Sequence, residues 1–222
     1  MMALFKDLLF VRRNSCYLCR QAYGSRLICP DCQENLEVLD RAQDLGLDYL
    51  DQVYVSSFYN RFLRKIIIDF KFRDRSYLYR PLGQLMVKTL EVHGWQDIDL
   101  VLAVPVSKKR RRQRGYNQAG LLASYISQAL DLRLDLDLLV KSRHTRAQSS
   151  LDLRERRRNL RGSFDLRQPA DLAGRRILLV DDVITSGATL NEIARLLKGQ
   201  GALSVRGLVI SSTEAIGGGH EI

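Results

Sequence analysis

Two adjacent aspartates, Asp181 and Asp182, end an apolar run and are followed by small and hydroxylated residues, so that residues 177–189 read ILLVDDVITSGAT. A loop made of Thr185, Ser186, Gly187, Ala188 and Thr189 lets backbone N–H groups converge on an anion, and a helix starting there adds its partial positive charge. A phosphate suits that loop. It does not suit the carboxylates, because like charges repel, so Asp181 and Asp182 need a polar neutral or cationic partner. Vicinal sugar hydroxyls, with or without Mg2+, meet that requirement. A P-loop would need G-x-x-x-x-G-K-[ST], which is absent. A phospho-acceptor receiver domain needs two further strands bearing an acceptor aspartate and a lysine, and only 40 residues follow Asp182. An ordinary capped helix start is the plain alternative. It does not account for apolar, acidic, small and hydroxyl positions agreeing across thirteen consecutive residues.

A second cluster is made of sulfur. All four cysteines, Cys16 and Cys19 in CYLC and Cys29 and Cys32 in CPDC, lie near the N-terminus. Each C-x-x-C pair can turn two thiolates toward one ion, and four sulfurs at ~2.3 Å make the closed tetrahedral site of structural zinc. Two disulfides or a redox dithiol compete, and an iron–sulfur cluster is the remaining metal alternative. With four protein ligands the ion organises the fold and leaves no open position for chemistry. The expected unit is a compact zinc ribbon, which together with linker accounts for residues 1–45.

The formal charge of +10 is concentrated in two runs. Residues 107–114, SKKRRRQR, carry six Lys or Arg, and residues 141–161 carry eight against Asp152 and Glu155, leaving the rest of the chain near −2. Basic runs are often just solvated faces, but two of them beside a phosphate loop suggest polyanion binding. No apolar stretch approaches the ~20 residues of a membrane span, and the opening MMALFKDLLFVRR lacks a small-residue cleavage site. A cytoplasmic protein without a membrane span is expected.

The elements that must position these groups follow from periodicity. VYVSSFY (53–59) reads as a strand, and RFLRKIIIDFKF places Leu63, Ile66, Ile67 and Phe70 at helical spacing. Residues 79–92 predict a second helix entered through Pro81. IDLVLAVPVS is too continuously apolar for a half-exposed strand and predicts one buried on both faces. YNQAGLLASYISQAL places Leu121, Leu122, Tyr125, Ile126 and Ala129 on one helical stripe. RRILLVDD predicts a strand, LNEIARLLKGQGA a helix and LSVRGLVIS a last strand. Residues 33–50 are expected to link the cysteine module to a main domain over 46–222. Such alternation implies an open, mainly parallel α/β sheet with helices on both faces and a ligand beyond the carboxyl ends of the strands, where Asp181, Asp182 and residues 107–114 meet.

Residues 177–189 resemble the ribose-phosphate signature of type I phosphoribosyltransferases. Together with CxxC…CxxC, FLRKIIIDFKFRD (62–74), VPVSKKRRRQRGYNQA (104–119) and RAQSSLDLRERRRNLRGSF (146–164), they identify the chain as similar to the ComF family of competence and DNA-utilisation proteins, which includes GntX-like members. The resemblance implies a type I phosphoribosyltransferase-like sheet plus an N-terminal zinc ribbon. It implies that Asp181 and Asp182 hold the ribose hydroxyls of phosphoribosyl pyrophosphate and act in catalysis, and that Thr185, Ser186, Gly187, Ala188 and Thr189 wrap its 5′-phosphate. Ser107, Lys108 and Lys109 fall in the pyrophosphate loop, Mg2+ accompanies the pyrophosphate, and residues 143–164 match a loop that closes over the site. No general base stands out; His144 is a lone histidine in a basic loop. Two functions are therefore expected: phosphoribosyl transfer to an acceptor, linked to DNA uptake or utilisation, or, as the alternative, a non-catalytic competence factor contacting single-stranded DNA and competence-machinery proteins.

Overall fold

The computed structural model describes residues 15–21, 27–142 and 160–213. His144, most of the 143–164 loop and the C-terminal GGGHEI lie outside them. The chain runs α1 (Pro30–Asn35), β1 (Val38–Gln43), β2 (Gln52–Phe58), α2 (Arg61–Phe72), a 3-10 turn, α3 (Tyr79–His93), β3 (Leu100–Ala103), α4 (Lys108–Arg114), α5 (Gln118–Leu130) and β4 (Leu134–Asp135). It continues through β5 (Leu139–Lys141), β6 (Phe164–Leu166), β7 (Arg176–Val180), β8 (Val183–Ile184), α6 (Ala188–Lys198) and β9 (Ser204–Ser212).

The sheet has the order β1-β2-β9-β7-β3-β4, with β8 continuing the pairing along β9. Every pairing in it is parallel except β1 with β2. Parallel strands covered on both faces leave no solvent side to be polar. That is why LVLA in β3 is buried at every position and RILLV in β7 at all but its first. Helix α2 buries Leu63, Ile66, Ile67 and Phe70, the expected i, i+3, i+4, i+7 set, and Asn60 caps it by accepting from the Leu63 amide at 2.8 Å. Helices α3 and α5 approach closely where Gly83 faces the Tyr125 ring; a Cβ there would lie 2.6 Å from Tyr125 Cδ1. A separate antiparallel pair, β5 with β6, brackets the undescribed residues 143–159.

Three sequence expectations are corrected. Residues 38–43 belong to no linker: they form an edge strand of the main sheet. Ala129 is exposed, and the buried stripe of α5 is Ala119, Leu122, Ala123 and Ile126. Residues 108–114 form a two-turn helix where a loop was expected. No helix among the described residues is long and apolar enough to cross a membrane.

Candidate functional site

The site is built where β7 and β3 end side by side. Val104 donates to the Val180 carbonyl at 2.9 Å and Asp181 to the Leu208 carbonyl at 3.0 Å, so the backbone stays locked to the sheet up to the first aspartate. Each carboxylate then accepts from the next backbone amide, Asp181 Oδ1 from Asp182 N at 2.8 Å and Asp182 Oδ1 from Val183 N at 2.6 Å. These local bonds fix both side chains. Beyond β8 the chain turns through Gly187, whose φ of +72° is left-handed, and enters α6 at Ala188. No side chain caps α6. First-turn amides have no intrahelical partner, and a helix start of this kind can offer donors to a ligand.

A cavity of about 500 Å³ opens at this edge, lined by Asp181, Asp182, Thr185, Ser186, Gly187, Ala188, Thr189 and Ser107. Lys108 and Lys109 do not line it. Ser107 caps α4 by accepting from the Arg110 amide at 3.3 Å, and from that start the helix phase carries Arg110 and Arg114, i and i+4, to the cavity. The end of α4 is pinned: Gly115 is left-handed, Tyr116 donates to the Phe70 carbonyl at 2.5 Å, and Asn117 Nδ2 donates to the Val104 carbonyl at 3.1 Å. Arg114 donates to Gln118 Oε1 at 3.1 Å, and its guanidinium lies 4.7 Å from the Phe72 ring centroid.

Opposite, α2 contributes Arg64 and Lys71, and β5 contributes Lys141. Lys71 Nζ lies 2.8 Å from Asp182 Oδ1. Sequence reasoning missed Arg64 and Lys71, whereas Arg110, Arg114 and Lys141 lay in the two basic runs without being singled out. The signal was present for the first two: Arg64, Ile67, Ile68 and Lys71 fall on one helical face beside the buried stripe.

Five cations thus face two carboxylates. Burial first, and then the charge of Asp182, raise the Asp181 carboxyl to about 7 against the opposing pull of the Asp182 amide, Lys71 and Lys141. Burial, and then Arg110, lower the Lys141 ammonium, and burial lowers the Arg114 guanidinium. A bound polyanion would offset the burial that disfavours the charged forms of Lys141 and Arg114. The raised carboxyl is a group able to exchange a proton near neutral pH.

The cysteines converge as expected from their spacing. The four sulfurs lie within 4.8 Å of one another, and Cys19 Sγ and Cys29 Sγ are 3.8 Å apart. Four sulfurs at ~2.3 Å from a central ion are separated by about 3.8 Å along each tetrahedral edge, so this donor set fits zinc. Cys29 also donates its amide to Cys16 Sγ at 3.4 Å. Burial raises the Cys16 thiol, but backbone amides of Cys19 and Cys29 prevail and bring it down to about 7; burial pushes Cys29 and Cys32 up. The module is fastened to the domain by Arg20, which donates to Tyr77 Oη at 2.6 Å, by Arg80, which donates to Tyr17 Oη at 3.3 Å, and by Phe62 of α2 against the cysteines.

Comparison with known proteins bears on the family of the chain. The family profile "Phosphoribosyl transferase domain" matches residues 114–214. Competence protein F of Haemophilus influenzae is 30% identical over 210 residues, which cover 90% of this chain and 91% of that protein. DNA utilization protein YhgH of Escherichia coli O6:H1 is 37% identical over 150 residues, 65% of this chain and 64% of that one. Among solved structures, the allosteric regulatory enzyme of purine biosynthesis superposes with a TM-score of 0.40 at 22% identity, covering 60% of this chain and 26% of its own. The chain belongs to the ComF family of competence protein F and carries that family's phosphoribosyltransferase-type domain.

Proposed function

We propose that the cavity binds phosphoribosyl pyrophosphate and transfers its phosphoribosyl group to an acceptor. The observation that carries this reading is the placement of an acidic pair and an uncapped helix start in one cavity with five cationic side chains. Asp181 and Asp182 accept from the ribose hydroxyls, and the turn of residues 185–189 takes the 5′-phosphate. Arg110 and Arg114, with Ser107, take the pyrophosphate; Lys108 and Lys109, expected in that role, lie outside the cavity lining. As the C1′–O bond to pyrophosphate breaks, negative charge grows on the leaving group and positive charge on the sugar. Guanidinium groups on one side and carboxylates on the other stabilise both. The new bond forms from C1′ to the acceptor, and the proton the acceptor loses passes to Asp181, whose raised pKa suits a base. Zinc held by Cys16, Cys19, Cys29 and Cys32 has no part in the chemistry; it fixes the module against α2 and α3.

Calorimetric titration of the zinc-loaded protein with phosphoribosyl pyrophosphate tests the binding step, and a screen of free nucleobases and amines for pyrophosphate release tests the transfer. Saturable binding that ribose 5-phosphate and pyrophosphate each compete for is expected. Absence of binding to a folded protein would overturn the reading.

A second reading has its own support. The face of α4 turned away from the cavity carries Lys108, Lys109, Arg111 and Arg112, all exposed. Relatives are named for competence and DNA utilisation. A non-catalytic factor that contacts single-stranded DNA through these cations would bind oligonucleotides with an affinity that falls steeply between 50 and 200 mM salt, in proportion to the phosphates neutralised. A flat salt response would remove this reading.

A further inference from the structure

The acidic pair raises the question of which cation it uses. Mg2+ seeks near-octahedral oxygen donors with negative charge. Here Asp182 already has an ammonium on Oδ1, and the Asp181 carboxyl resists ionisation below neutral pH. Asp181 Oδ1 accepts from the Asp182 amide, and Asp182 Oδ1 accepts from the Val183 amide as well as facing Lys71, so Oδ2 of each carboxylate is the oxygen left for a ligand. A divalent ion bound directly to the pair would have to share Asp182 with the Lys71 ammonium, whose charge repels it, so the pair as built does not suit such an ion.

Lys71 is built into this position. It stands in the last turn of α2, anchored by the buried side chains of Ile66, Ile67 and Phe70, and reaches across the cavity from the helix wall to the sheet edge. The pair is shielded, with side-chain exposures of 21% for Lys71 and 11% for Asp182, so water screens it less than a surface pair. An ammonium has three donors and Asp182 takes one. The others are available to hydroxyl and pyrophosphate oxygens of a ligand seated between the carboxylates and the arginines.

We propose that Lys71 is the resident cation of the site and a specificity-determining residue: it holds the place beside Asp182 that a divalent ion would need, so that a ribose carrying an anomeric pyrophosphate binds with little dependence on Mg2+. The inference rests on the phosphoribosyl reading given above and deepens it. Mg2+, which the family resemblance led us to expect with the ligand, is then dispensable for binding.

The test is calorimetric titration of the full-length, zinc-loaded protein with phosphoribosyl pyrophosphate, with and without added Mg2+. Buffers are freed of Mg2+ on a chelating resin before the protein is added, so that the cysteine-bound metal is untouched. For the wild type, Kd should change by less than about threefold on adding Mg2+. Lys71→Met should bind about tenfold or more weakly without Mg2+ and recover most of that loss when it is added, while Lys71→Arg should remain close to wild type. Thermal melts show that each variant is folded. A wild type that loses about tenfold or more without Mg2+, or a folded K71M that binds as the wild type does, overturns the role of Lys71 and leaves the phosphoribosyl reading standing. No binding in either buffer overturns both.

Discussion

Substituting Gly187 by alanine probes the turn of residues 185–189, proposed above to take the 5′-phosphate, through a magnitude the structure supplies. The backbone there has φ +72°, and a Cβ would lie 2.6 Å from Leu47 Cδ1, 3.1 Å from Leu45 Cδ1 and 3.5 Å from Ile184 Cδ1. A left-handed conformation costs a non-glycine residue roughly 1–2 kcal/mol. Overpacking costs ~1–3 kcal/mol, and the lower end applies because Leu47 is half-buried and its terminal methyl can yield. The sum is about 2–3 kcal/mol, which for a chain of this size lowers Tm by roughly 4–12 °C. Urea unfolding of wild type and G187A measures the difference directly. In a Leu47→Ala background the closest clash disappears, leaving the 3.1 Å approach to Leu45 Cδ1, and the cost of G187A should fall toward the conformational share, about 1–2 kcal/mol. Phosphate binding should weaken in both backgrounds, because the turn that aims the amides is no longer at rest. A loss below about 0.5 kcal/mol, or equal losses in the two backgrounds, would refute this account of the turn.

Other outcomes follow from the same geometry. Metal analysis of the purified protein should find about one zinc per chain. Cys29→Ser should lose it and loosen the contacts of Tyr17 and Arg20 with the domain, read as faster amide exchange around Tyr77; a stable, metal-free wild type would contradict the structural role. Arg110→Ala should weaken pyrophosphate binding about tenfold with little change in Tm, and equal affinity would take Arg110 out of the site. Because the Asp181 carboxyl is raised in the fold and ordinary when unfolded, the folded chain retains a proton the unfolded chain has released. Its stabilising contribution is complete below about pH 4 and is lost as pH rises toward 7. Relative to Asp181→Asn, wild-type stability should therefore decline over that window, and parallel pH profiles would refute the shift.

Much of this site was legible in sequence because its parts are contiguous. ILLVDDVITSGAT holds strand, carboxylates and the cavity-lining turn of residues 185–189 in one run, and the cysteine pairs declare themselves by spacing. What escaped notice depended on partners far along the chain. Residues 38–43 show no clean alternation because β1 is an edge strand, with a register shift between Val38 and Arg41 and a left-handed Asp40 held by a hydrogen bond from Thr89 at 2.6 Å. Its hydrophobic signal is weak for the same reason that edge strands are half solvated. Lys71 reads in sequence as one more charge on an amphipathic helix; only the sheet order, which brings β7 to β9 and β2 and lays α2 over the cavity, gives it Asp182 as a partner. In the basic run, the expectation fell on the first residues after Ser107, whereas the helix that forms there turns Arg110 and Arg114 inward. The link between the cysteine module and the cavity was likewise invisible: α2 has Phe62 against the cysteines at one end and Lys71 in the site at the other.

The measurement that tests the central claim most directly compares wild type with the double variant Asp181→Asn, Asp182→Asn, each titrated with phosphoribosyl pyrophosphate and with inorganic pyrophosphate. If the carboxylates grip the ribose hydroxyls, the wild type should prefer the sugar ligand by about a hundredfold, ~2.7 kcal/mol, and the folded double variant should lose most of that preference while still binding pyrophosphate. An unchanged preference in the double variant, or a wild type that binds both ligands alike, would contradict the account.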